Sequence, residues 1–398
     1  MNFIFISPNF PHTYWQFCDR LKKNGVNVLG IGDCPYDNLE EPLKEALTEY
    51  YKVDNMEDYS QMYRAVAYLA FKHGKIDWLE SNNEHWLQQD AQLREDFNIT
   101  TGVQPDELLL WKSKSAMKPS YKAAGIPTAR NHQVTDIEAA REFLDEIGGF
   151  PVIVKPDIGV GATDTWKLES EEDLEWFYAN KPVTPYVMEE FVYGNIYSYD
   201  AICDSNGDVL FESSNWFPPS IADLVNKNLE LLYYVTKEIP EQLRDYGRKA
   251  LKAFKVRSRF VHFEFFRLTQ ARKNLGEVGD FVGLEVNMRP AGGYTPDMID
   301  FAHSCDVYKI WADMVTSDKL LADAQGEQYW CAFASRKDMH TYEHSHEEVL
   351  AKYGSRMVMC ERMPDALSAA MGNQMYTALF DTEEEVLEFG AFVHKHAE

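Results

Sequence analysis

The chain has 398 residues, enough for two or three domains, and is 45% apolar and 14% aromatic, so it can bury large cores. Its formal net charge of −25, from 39 basic and 64 acidic side chains, argues against nucleic acid or an anionic membrane as partner, because phosphate arrays need clustered Lys and Arg. A small anionic ligand stays open, since it needs only local positive charge or a bound cation.

The opening MNFIFISPNFPH reads as a short apolar strand and a loop, without the basic leader and long apolar core of a signal peptide. No apolar run approaches the ~18 residues of a membrane span. The six cysteines are scattered and form no Cys-x-x-Cys pair, which points to reduced thiols of a cytoplasmic protein.

Residues 1–110 alternate strands and helices. FIFIS and VNVLGIG read as strands, TYWQFCDRLKKNG as a helix closed by Gly25, YSQMYRAVAYLAFKHG as a helix and IDWLES as a strand. That order predicts a parallel, doubly wound sheet, with ligands beyond its C-terminal strand ends. SPNFPH and ESNNEHW follow strands there; both serve either as crevice walls or as plain turns.

Residues 111–188 read as a small α+β unit. SKSAMKPSYKAAGIP is a helix ending at Gly125 and Pro127, FPVIVKPDIGVGATDTWKL a strand, Gly-containing loop and strand, and SEEDLEWFYAN a helix opened by Ser170. Residues 189–320 read as strands in hairpins, one of them turned by the Asn-Gly of CDSNGDVLF, with PEQLRDYGRKALKAF as an intervening helix. Residues 321–398 read as a separate C-terminal unit with two or more helices.

GLEVNMRP, residues 283–290, places Glu285, Asn287 and Arg289 on one face of a strand, with Val286 and Met288 on the other. If it pairs in a hairpin with VHFEFF, Glu264 lies almost opposite Glu285. Facing carboxylates repel unless neutralised. Glu264, Glu285 and Asn287 offer only oxygens, which suits Mg²⁺ or Mn²⁺; the alternative is two solvated acids on an edge hairpin. In KPDIGVGATDT, Gly159 and Gly161 allow backbone N–H groups to approach a phosphate and Lys155 adds a charge, or the segment is an ordinary hairpin turn. It is not a Walker loop. In VMEEFVYGN an acidic pair ends a strand before Phe191 and Val192, as in an adenine pocket or at a solvated strand end.

In this order the parts resemble the ATP-grasp superfamily, at its carbamoyl-phosphate-synthase-like and biotin-carboxylase-like end, over roughly residues 1–320. Lys114, eleven residues before GIP, is similar to the family's first nucleotide lysine, and FPVIVKP to its second lysine strand, giving Lys155. DIGVGATDT resembles the phosphate loop, giving Gly159, Gly161, Ala162 and Thr163. MEEFVYG resembles the adenine hinge, giving Glu189, Glu190, Phe191 and Val192. HFEFF and LEVNMRPAGG resemble the metal strands, with Arg289 matching the arginine that meets phosphate or the activated carboxylate. The chain departs where many members carry a ribose-binding Glu: Ile196 stands there, which leaves Glu190 or Asp200 for the sugar.

The resemblance implies an α/β ATP-grasp fold: an N-terminal parallel-sheet domain (1–110), a small α+β lid lobe (111–188), a large mixed-sheet lobe with the metal site (189–320) and a C-terminal α/β addition (321–398). It implies an ADP-forming ligase, using ATP and Mg²⁺ (or Mn²⁺), that activates a carboxylate as an acyl phosphate for an amine (or thiol). Arg289 and Lys155 would be catalytic, and Trp216, Lys227 and Tyr294 would border the acceptor. The partners implied are small molecules, and a homodimer stays open. An ATP-binding sensor or scaffold without turnover is one alternative, and a carboxylase or kinase-type enzyme another. The histidines of MHTYEHSHEEV (His340, His344, His346) match no zinc pattern and read as a solvated segment.

Overall fold

A computed structural model of the chain describes residues 1–159, 164–218, 229–321, 326–364, 368–369 and 371–397. Three sheets organise it.

The first has four parallel strands in the order Glu49–Lys52, Asn27–Gly32, Asn2–Ile6, Trp78–Glu80. The alternation of FIFI sends its side chains into two cores. Phe3 and Phe5 pack with Phe17, Trp78 and Trp311, while Ile4 and Ile6 pack with Met62, Val66 and Leu69 of the helix Tyr59–His73. A strand buried on both faces is the mark of a helix-covered parallel sheet. Ser7 and Asn82 leave the C-terminal ends of two of these strands at positive φ, 53° each, and turn the chain into SPNFPH and SNNEHW.

The second sheet has four antiparallel strands in the order Asn131–Gln133, Tyr186–Glu190, Val152–Pro156, Trp166–Leu168. Helices Ile137–Ile147 and Glu171–Asn180 pack on it through Phe143, Leu144, Leu174 and Phe177. Asp136 and Ser170 cap these helices, each accepting a backbone N–H of the first turn.

The third sheet is antiparallel and has nine strands. Its path runs Phe281–Asn287, Arg259–Leu268, Gly194–Cys203, Asn215–Phe217, Leu232–Val235, Trp330–Arg336, Gln374–Phe380, Met357–Arg362, and Val209–Ser213 pairs with Gly194–Cys203 beside it. The strands of residues 321–398 thus continue this sheet, because Leu232–Val235 pairs in register with Trp330–Arg336.

The parallel sheet docks on the large one. Buried Glu80 sits between the guanidiniums of Arg94, at 2.9 Å, and Arg259, which also donates to the Met288 carbonyl. All six cysteines are free. No helix among the described residues is long and apolar enough to cross a membrane.

Candidate active site

The strands Arg259–Leu268 and Phe281–Asn287 pair with Glu264 opposite Glu285 and His262 opposite Asn287. Val286 and Met288 sink into a core with Tyr121 and Phe263. Leu284 is left without a partner between the pairs Glu264–Glu285 and Phe265–Gly283, so a bulge interrupts the alternation next to the acids. Glu264 is held by His262, whose Nε2 lies 3.3 Å from its Oε1; the other ring nitrogen, Nδ1, is 2.7 Å from Asp200. Burial alone would lower the His262 pKa, but the Asp200 and Glu264 carboxylates outweigh it and lift it to about 9.

The two acids differ. Burial raises the Glu285 carboxyl, Glu264 adds to the rise, and Lys114 opposes it. Burial also opposes ionisation of Glu264, yet His262, Arg289 and Lys155 bring its pKa below the ordinary value. The Asn287 amide, 6% exposed, has no hydrogen-bond partner among the described residues. Two facing carboxylates and an unpartnered amide oxygen make an all-oxygen set that fits a hard dication.

Three lysines face these acids. Lys114 opens the helix Lys114–Ala123, whose start is tied to the end of the strand Val152–Pro156 through Asp157. The Asp157 carboxylate accepts from Ser115 N at 2.8 Å and Ser113 Oγ at 2.6 Å. The Lys114 ammonium donates to the Gly159 carbonyl at 3.1 Å and lies 3.6 Å from Glu285. Lys155 and Lys118 clamp the two oxygens of Glu189 at 2.8 and 2.7 Å. Burial would raise the Glu189 pKa, but the two ammoniums pull it down to about 2. Lys118 escaped the sequence reading. Its signal was the four-residue step from Lys114, which sets both on one helix face while Met117 and Tyr121 fill the core.

In the hinge, Val192 packs with Ala129, Leu268, Leu275 and Val282, an apolar wall suited to a base. The Phe191 carbonyl accepts from Arg272. Neither ribose candidate is available. The Glu190 carboxylate accepts from Arg130 N at 2.8 Å and Arg130 Nη2 at 2.7 Å, and pairs with Arg272 at 3.2 Å. Asp200 is fully buried, bound to His262, Ser198 and Asn215.

Arg289 donates to the Pro290 carbonyl at 2.8 Å and has no ion pair among the described residues. Its charge is felt by Glu264 and by Tyr14, whose hydroxyl donates to the Asn82 carbonyl at 2.9 Å. The guanidinium is therefore within electrostatic reach of Tyr14, which bonds the loop of Asn82, and of the strand that carries Glu264. Glu84, on the loop of Asn82, adds negative charge at Glu285 and carries one buried oxygen without a partner among the described residues.

The acceptor candidates fare differently. Trp216 pairs with Tyr197 in the sheet and stacks on Tyr234 at 5.0 Å, so it lies on the face opposite His262 and Glu264, and the acceptor role is corrected. Tyr294 is 3% exposed in the main core, at the start of the helix Thr295–His303. Lys227, Gly161, Ala162 and Thr163 lie outside the described residues. His344 stacks on Phe392 at 3.7 Å and His346 bonds Tyr376 at 2.9 Å, so the histidine run does not converge on one point.

No protein-family model matches the chain. An L-arginine-specific L-amino acid ligase of Bacillus subtilis is 26% identical over 294 residues, 71% of this chain and 67% of that protein. The alanine–anticapsin ligase of Bacillus subtilis (strain 168) is 31% identical over 166 residues, and the match spans only 34% of that protein. The MgADP-bound biotin carboxylase domain of the Hydrogenobacter thermophilus 2-oxoglutarate carboxylase superposes over 97% of this chain and 88% of its own, with a TM-score of 0.71 and 15% identity. The chain is thus similar in sequence to ATP-grasp ligases and shares their fold. Its α/β ATP-grasp fold is the one the sequence predicts.

Proposed function

We propose that this ATP-grasp ligase joins the carboxylate of one small molecule to the amine of another through an acyl phosphate, releasing ADP and phosphate, and that an amino acid is among its substrates. The observation that carries this reading is the Arg289 guanidinium, without an ion pair among the described residues, beside the facing acids Glu264 and Glu285. The L-amino acid ligase likeness supports the substrate class.

Glu264, Glu285 and Asn287 would hold Mg²⁺ (or Mn²⁺), which neutralises charge on the phosphates of ATP. Lys114 and Lys155 meet the phosphate oxygens, and Lys118 keeps Glu189 neutralised when Lys155 turns to a phosphate. The substrate carboxylate, oriented by Arg289, attacks the γ-phosphorus, and the bond to ADP breaks. The amine nitrogen then attacks the acyl carbon, the C–O bond to phosphate breaks, and the nitrogen loses its proton. Arg289 stabilises the negative charge on the tetrahedral oxygen. A hydroxyl acceptor would need a general base, and the acids of this face are taken by the metal. A carboxylate needs none. The Glu84 oxygen, without a partner among the described residues, suits the ammonium form of an amine and takes the proton whose loss frees the attacking lone pair; the second proton leaves with the phosphate.

ADP release should be screened over pairs of L-amino acids with Mg²⁺. Glu285→Gln and Asn287→Ala should lower turnover about 10²-fold, the few kcal/mol that a dication supplies. Unchanged Mg²⁺ dependence in both variants would remove the metal assignment.

A further inference from the structure

Away from the nucleotide cleft, three parts of the chain meet at one carboxylate oxygen. Glu230 precedes the strand Leu232–Val235, His340 follows Trp330–Arg336, and His396 follows the helix Glu383–His394. His340 Nδ1 lies 2.6 Å from Glu230 Oε1, His396 Nε2 lies 2.7 Å from it, and the Tyr342 hydroxyl lies 2.9 Å from it. The Glu230 side chain is only 8% exposed. Such an oxygen has two lone pairs, so three close neighbours crowd it.

We propose that Glu230, His340 and His396 bind a divalent d-block cation of the zinc class, with Tyr342 orienting the carboxylate. Two imidazole nitrogens and one carboxylate oxygen form a donor set for zinc rather than for Mg²⁺. The ligand atoms all lie within 4.8 Å of one another. Zinc bonds of about 2.0–2.2 Å set tetrahedral ligands roughly 3.3 Å apart, so the ion needs the imidazoles to withdraw by about 0.6 Å. His396, half exposed, has room to do so. A fourth position falls to water or an anion. The backbone already runs this way: Ala397 N donates to Thr341 O at 3.0 Å, and Tyr342 bridges to His396. The ion would fasten both segments to Glu230. The Arg336 guanidinium, 4.5 Å above the Tyr342 ring, opposes a dication and makes the site weaker than a four-ligand one.

The test is a Co²⁺ titration of the metal-stripped full chain with excess MgADP present, so that the oxygen-only site is occupied. One equivalent should give the visible bands of nitrogen-ligated cobalt, bleach with Zn²⁺, and raise Tm. His396→Gln, at an exposed position, should keep the ADP-forming activity and lose about tenfold or more in Co²⁺ affinity. Glu230→Gln should lose at least as much. Absence of these bands at one equivalent, or equal affinity in the wild type and His396→Gln, would overturn the proposal.

Discussion

Asp297 shows how a single buried acid marks the interface between the parallel and large sheets. Its carboxylate accepts from Gln16 at 2.7 Å and Tyr308 at 3.0 Å, yet burial holds its pKa up at about 6, against 3.8 for an ordinary Asp. The folded state then binds the proton more tightly than the unfolded chain. The stability this contributes is full below pH ~4 and is lost as pH rises through about 6. At about 1.4 kcal/mol per unit, the loss is up to about 3 kcal/mol. Wild-type Tm should therefore gain on acidification from pH 7 to 5 relative to Asp297→Asn, which cannot ionise. Parallel Tm profiles for the two proteins over that window would contradict this. At the same scale, the facing of Glu264 and Glu285 was legible because period-two alternation and one turn position fix it. Trp216 was misplaced because its face depends on the register of its strand against Gly194–Cys203, which the strand's own residues do not encode; Asp200 shares the His262 face but is occupied by His262, Ser198 and Asn215.

The small sheet and the helix Lys114–Ala123 form the element that has to respond to nucleotide. The Lys114 bond to Gly159 O and the Asp157 cap tie helix start to loop start, so a phosphate drawing on Lys114 pulls on both. Hydrogen exchange at Asp157–Gly159 and Trp166–Leu168 should slow when MgADP binds. Equal exchange with and without nucleotide would speak against a closing lid. The strand–loop–strand reading of FPVIVKPDIGVGATDTWKL was legible from its Val/Ile run and glycines. The bulge at Leu284 was not, because a bulge answers to twist and to the partner strand. Lys118 was passed over because the resemblance supplies one lysine on that helix, although the four-residue spacing carried the information.

For the whole molecule, strands alternating with helices in residues 1–110 sufficed to anticipate the parallel sheet. The path of the nine-stranded sheet was not legible, since Leu232–Val235 pairs on one side with Trp330–Arg336, about a hundred residues away in sequence, and nothing local specifies that partner. Glu80 between Arg94 and Arg259 ties the end of the parallel sheet to the strand that carries Glu264. In this assembly the Arg289 charge acts on both Tyr14 and Glu264. The most direct test is hydroxylamine trapping. With ATP, Mg²⁺ and a turned-over L-amino acid, hydroxylamine in place of the amine should give a hydroxamate together with ADP and phosphate. Arg289→Met should cut the hydroxamate yield about 10²-fold or more while leaving ATP affinity within a few-fold. AMP and pyrophosphate as products would mean an adenylate and would contradict the mechanism.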